Sequence, residues 1–212
     1  MKNPGQVIGD IRNIHKLYLE KTPVNYRQVA EIPIKDLISD IEDYYSNEKL
    51  SIELKSFTVS TINRRILGYY KCIDNNVTII HADGGVDNIP NYCMRRYIVA
   101  KELSHYIVDN TESFTVNAGD LMKELAIQNN SFIPDPDSPL AQQKRAEEMA
   151  KIYGILLLFP FEQMKIKKRQ LSIPNNGVNE RSIAEEFKIP VTLIEYILSD
   201  PLFDWVVNNT SS

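Results

Sequence analysis

The residues with the clearest chemical content in this chain are Lys101, Glu102 and His105, in the run Lys101-Glu102-Leu103-Ser104-His105. Side chains four apart on a helix share one face. In an H-E-x-x-H helix that spacing lets two imidazoles hold one Zn²⁺, while the Glu beside the first polarises the metal-bound water. Here Glu102 and His105 stand where that arrangement needs its general base and its second ligand. Lys101 stands where it needs the first. A protonated ammonium donates hydrogen bonds and has no lone pair for a metal. K-E-x-x-H taken alone is also an ordinary solvated helix face, so its surroundings decide how it is read.

Those surroundings carry a pattern. Arg96-Tyr97-Ile98-Val99-Ala100 before the pentapeptide and Tyr106-Ile107-Val108 after it are similar to R-F-T-x-A-H-E-x-G-H-x. Downstream, Glu147-Glu148-Met149-Ala150-Lys151-Ile152-Tyr153-Gly154-Ile155-Leu156-Leu157-Leu158-Phe159-Pro160 is similar to E-x-x-A-N-x-F-A-x-x-L-L-x-P. Both blocks, in this order, resemble the ImmA/IrrE family of zincin-like metallopeptidases.

The resemblance covers roughly residues 50–160. It implies Glu102 as general base, His105 as second zinc ligand and Glu147 as third, with Glu148, about 100° round the helix, as the neighbouring alternative. Lys101 departs from the family pattern, as does Ser104 where Gly is usual. Two protein ligands make a weak zinc site, since catalytic zinc ordinarily has three. Three outcomes stay open. The Lys101 ammonium replaces the cation and pairs with Glu147 or Glu102, which is the favoured one. His81 or Asp109 completes the metal site. Or zinc binds weakly with extra water. The resemblance further implies a regulatory role connected with mobile elements or stress, acting on a protein such as a helix-turn-helix repressor. A cytoplasmic location is expected from the lack of a leader or membrane-spanning run in the sequence. Two functions follow: a degenerate peptidase that binds such a partner without cutting it, or an active zinc endopeptidase that cleaves it.

The elements that must position these residues are legible from periodicity. Val7, Ile8, Ile11, Ile14, Leu17 and Tyr18 recur at helical spacing over residues 6–20, with His15 read as a surface or boundary residue. Asn25 to Glu31 offers another helical turn or two, and Ile34, Leu37, Ile38, Ile41, Tyr44 and Tyr45 a second helix. Alternation from Leu50 to Val59, a run over 65–73, a turn at Asn75-Asn76 and Val77–His81 read as strands. Ile66–Ile73 and Val77–His81 form a hairpin, and the zincin-like resemblance implies an edge strand there, beside the cleft and able to pair with an extended peptide. Helices are then expected over 90–109, 113–128 (with Phe114, Leu121 and Leu125 inward) and 141–158, the last bounded by Pro160.

The expected fold is therefore α+β and zincin-like, a small, mainly antiparallel sheet packed by helices. Residues 1–164 form the main domain, and residues 165–212 a C-terminal appendage with a helix-turn-helix-like pair over 182–198. Lys165-Ile166-Lys167-Lys168-Arg169 is the one basic run and reads as solvated helix face.

Composition narrows the function classes. The chain has 212 residues, 43% hydrophobic and 25% charged, with a formal net charge of −4, which gives no general support to nucleic-acid binding. The second helix of the C-terminal pair, from Val191 to Tyr196, offers Glu195 and no base-reading Arg, Lys, Asn or Gln, so direct DNA binding is not expected. Cys72 and Cys93 form neither a disulfide framework nor a CxxC pair. No apolar run nears the 18 residues of a membrane span, and no secretory leader is read at the N-terminus.

Overall fold

The computed structural model describes residues 2–22, 28–57, 66–82, 92–108, 112–116 and 139–210. Helix α1 (Pro4–Lys21) starts at a capping box: Asn3 Oδ1 accepts from Gly5 N–H at 2.8 Å, and the Gln6 side chain accepts from Asn3 N–H. Its stripe of Val7, Ile8, Ile11 and Ile14 is buried. His15 is buried with it, at 2% exposure, which corrects its reading as a surface residue. The later helix that packs on α1 brings the Leu157 carbonyl within 3.1 Å of His15 Nε2. Burial lowers the His15 pKa from 6.5 to about 4, against a smaller opposing effect of that carbonyl.

Helix α2 (Ile34–Tyr44) follows, with Leu37 and Ile41 inward. Among residues 28–31 no helix forms, and residues 23–27 lie outside the described set. Three strands come next: β1 (Ser51–Phe57), β2 (Ile66–Ile73) and β3 (Asn76–Ala82). Strands β2 and β3 form the expected antiparallel hairpin. Its turn is one residue earlier than read, at Asp74 and Asn75, whose φ values of 49° and 61° suit the left-handed geometry of a tight hairpin.

The central helix α3 (Tyr92–Ile107) is followed by a strand, β4 (Glu112–Val116), where a helix over 113–128 was expected. Glu-Ser-Phe-Thr-Val is rich in aromatic and β-branched residues, and the ladder offered by β2 outweighs the helical pattern. Residues 117–138, with Leu121 and Leu125, are not among those described.

The sheet order is β1-β3-β2-β4. Two of its three pairings are antiparallel and β1–β3 is parallel. The β2–β3 hairpin is thus the interior of the sheet rather than its edge. β1 and β4 are the outer strands among the described residues.

Helix α4 (Pro139–Leu158) packs along α3 and ends in the buried run Ile155 to Phe159. Helices α5 (Phe161–Leu171), α6 (Glu180–Phe187), α7 (Val191–Ile197) and α8 (Asp200–Thr210) complete the chain. The line drawn at 164/165 falls inside α5. One apolar core runs from Val7 through Leu158 to Ile183, Leu193 and Val206, and α8 packs against α1.

The basic run of α5 is only partly solvated face. Lys167 pairs with Glu186 at 2.6 Å, and Lys168 donates to the Leu198 carbonyl at 2.6 Å and to Asp200 at 2.5 Å. These lysines tie α5 to the last three helices. No described helix is long and apolar enough to cross a membrane. The architecture is α+β and mostly helical, with α3 between the sheet and α4.

Candidate functional site

Helix α3 is buried on almost every side: Arg96 through His105 are all under 4% exposed. Two glycines permit this. A Cβ on Gly154 of α4 would come within 2.7 Å of Lys101 Cα and 2.8 Å of Lys101 N, so only Gly lets α4 cross α3 at this height. A Cβ on Gly68 of β2 would meet Ile98 Cγ2 at 2.6 Å and Glu102 Oε1 at 3.0 Å, so Gly68 makes room for the Glu102 carboxylate against the sheet. Ser104 Oγ lies 2.6 Å from the Lys101 carbonyl and 2.9 Å from the Ala150 carbonyl. Its single proton serves one of them at a time. Ser104 stands where the resembling pattern has Gly. In the structure it is a polar stitch between α3 and α4 where a glycine would leave none.

At this crossing the predicted residues converge. Lys101 Nζ stands 2.9 Å from Glu147 Oε2, 3.2 Å from His105 Nε2 and 3.4 Å from Glu102 Oε1. Three acceptors match the three N–H donors of an ammonium. His105 Nε2 also lies 3.5 Å from Glu147 Oε1 and 3.9 Å from Glu102 Oε2. These two approaches are not ion pairs. Burial, and secondly the Lys101 charge, hold the His105 pKa well below its ordinary value, so the ring is neutral. With the ammonium as donor, Nε2 carries the lone pair and Nδ1 the proton. The Tyr70 ring of β2 covers the imidazole at 5.7 Å between centroids. Tyr97, one turn before Lys101, donates to the Lys151 carbonyl of α4 at 3.4 Å.

Lys101 is 1% exposed and Glu102 and His105 are fully buried, whereas Glu147 keeps 24% of its side chain in solvent. The positive charge therefore faces inward, and water reaches the cluster at Glu147. The neighbouring alternative, Glu148, points its charge elsewhere: after burial itself, it is what raises the Tyr196 phenol pKa. His81 sits on β3 opposite Gly68 and Ser56. Asp109 lies outside the described residues.

The donor set can be tested against zinc directly. Of the four positions, Lys101 offers no lone pair, and His105 and Glu147, the two expected zinc ligands, already lie 3.2 and 2.9 Å from Nζ. A tetrahedral cation at that point would have to displace the charged nitrogen that both of them already face. As they stand, these side chains do not fit a resident zinc ion. What they can do is hold one buried carboxylate, one partly solvated carboxylate and a neutral imidazole around one positive charge.

No protein-family model matches the chain, and no curated protein matches it.

Proposed function

We propose that this chain is a zincin-like, metal-free relative of the ImmA/IrrE peptidases that regulates by binding a protein partner without cleaving it. The observation that carries this reading is the trio of acceptors around Lys101 Nζ. An ammonium occupies the point on which a general base and two ligands would converge in a peptidase. Hydrolysis needs a polarised water and an exposed electrophile. Glu102 instead accepts from Lys101, and neither is open to a substrate.

The partner fitting this reading is a separate cytoplasmic regulatory protein of the helix-turn-helix repressor type. DNA itself is disfavoured by the net charge of −4. A second reading, an active zinc endopeptidase, is favoured by one observation: Glu102, His105 and Glu147 keep positions from which they would serve a metal if position 101 supplied a third ligand.

Zinc content after dialysis against trace zinc separates the two. The non-hydrolytic reading expects none in the wild-type protein and near-stoichiometric zinc in Lys101→His. Stoichiometric zinc in the wild-type protein would overturn it and turn attention to cleavage of repressor-type substrates.

A further inference from the structure

We propose that β1 is a self-complementary edge through which two copies of this chain pair as antiparallel strands about a twofold axis at Leu54. β1 is an outer strand among the described residues, parallel to β3 along its other side. Its rotation is fixed by two bonds. Ser51 N–H donates inward to the Asn75 carbonyl at 3.1 Å, and Ile52 N–H donates outward to Glu42 Oε1 at 2.7 Å. Backbone groups alternate along a strand, so Ile52, Leu54 and Ser56 present their N–H and C=O groups outward.

The side chains alternate as well. Ile52 and Leu54 pack partly buried against the core, while Glu53 and Lys55 are exposed together on the opposite face, joined by an ion pair at 2.8 Å. With the twofold on Leu54, Leu54 faces Leu54 of the second copy as a hydrogen-bonded pair, and Ile52 faces Ser56. Glu53 then lies directly opposite Lys55 of the second copy, twice, in the closer non-hydrogen-bonded positions. Moving the axis one position either way sets Glu53 against Glu53 or Lys55 against Lys55. Only the Leu54 register pairs opposite charges, and it is also the one that aligns all of Ser51–Phe57 end to end. Such a contact is isologous, so it closes as a dimer and does not propagate.

Glu42 marks the cost of this pairing: its carboxylate blunts the outermost N–H of the edge and must yield to the Ser56 carbonyl of the second copy. The strand contact is short, so the association is expected to be weak, with dimer mass emerging as concentration rises.

The test is sedimentation equilibrium of the full chain over a concentration series to roughly 1 mM, on wild type, Glu53→Lys and the swap Glu53→Lys/Lys55→Glu. Far-ultraviolet circular dichroism confirms that all three are folded. The proposal expects a monomer–dimer equilibrium in the wild type, a loss of about thirtyfold in Glu53→Lys, and recovery in the swap. A wild-type chain that stays monomeric throughout, or a dimer indifferent to Glu53→Lys, would overturn it. This inference is independent of the reading of the Lys101 cluster.

Discussion

Replacing Lys101 by Met keeps the length and apolar stem of the side chain and removes its charge. Glu102, fully buried, then loses its cationic neighbour at 3.4 Å, and Glu147 loses its partner at 2.9 Å. Breaking a buried ion pair by deleting one partner costs about 3–5 kcal/mol, because the remaining charge is left without compensation. Glu147 is partly solvated and recovers some of its loss from water, so the expected cost lies near the lower end, about 3 kcal/mol. For a chain of this size that corresponds to a fall in Tm of roughly 6–12 °C. Urea unfolding should show the midpoint moving with an unchanged m-value. Adding Glu102→Gln removes the orphaned charge, and the double variant should regain a large part of the loss, a non-additivity expected only for groups in contact. The His105 pKa should rise in the single variant, since one of its two depressing influences is gone. If Lys101→Met is destabilised by less than about 1 kcal/mol, or the double variant is simply additive, Nζ is not the centre of this cluster.

Three further outcomes follow from the same packing. His15 folds with a pKa of about 4 against 6.5 unfolded, so the unfolded chain binds the extra proton, and stability present above pH 6.5 is lost as pH falls toward 4, by about 3 kcal/mol; His15→Gln should flatten this part of the stability–pH curve relative to wild type. Gly154→Ala forces a methyl group into the Lys101 backbone, which cannot yield as a side-chain tip would. It should cost about 2 kcal/mol in chemical denaturation despite the better helix propensity of alanine. Glu147→Gln keeps an oxygen for Lys101 at a partly exposed site, so thermal stability should fall by no more than about 1 kcal/mol, whereas in a Lys101→His background the same change should abolish zinc uptake.

The helices legible from periodicity are those whose apolar period matches one buried face, α1 and α2. Helix α4 is legible from its terminal apolar run and Pro160, and β2 and β3 from the turn between them, though not their place inside the sheet. His15 shows where pattern and polarity conflict: it lies at i+4 from Ile11 and i+7 from Ile8, on the stripe itself, not beside it as a surface or boundary residue. The signal was available in the phase. For β4 the error ran the other way. Phe114, Leu121 and Leu125 can be fitted to a helix, but the free ladder beside β2 is a tertiary fact that no local pattern contains. Helix α8 passed unread although Pro201 stands in its first turn, a position where proline is favoured, ahead of Leu202, Phe203, Trp205 and Val206.

The candidate site is marked in the sequence by its two resembling blocks, and the burial of its residues follows a separate logic. A helix such as α3, buried on nearly every side, should read as apolar all round, and Arg96, Lys101, Glu102 and His105 break that expectation. Such residues are tolerated inside only when each finds a partner, so their burial is encoded in the set rather than in any one of them. Arg96 finds Glu31 and the Ile32 carbonyl; Lys101 finds Glu102, His105 and Glu147. The partners come from loops and helices up to 65 residues away, which periodicity cannot supply and a two-block motif can, for Glu147 alone. This explains why a lysine at position 101 leaves the fold standing. Two carboxylates facing inward need a positive charge between α3 and α4, and an ammonium with three donors provides it without asking the surrounding helices to move. Hydrolysis asks for more than a charge: an exposed site, an open coordination position and a water. On the proposed non-hydrolytic reading, stability and catalysis therefore separate at this one residue, and changes at position 101 act first as changes in charge balance inside the core.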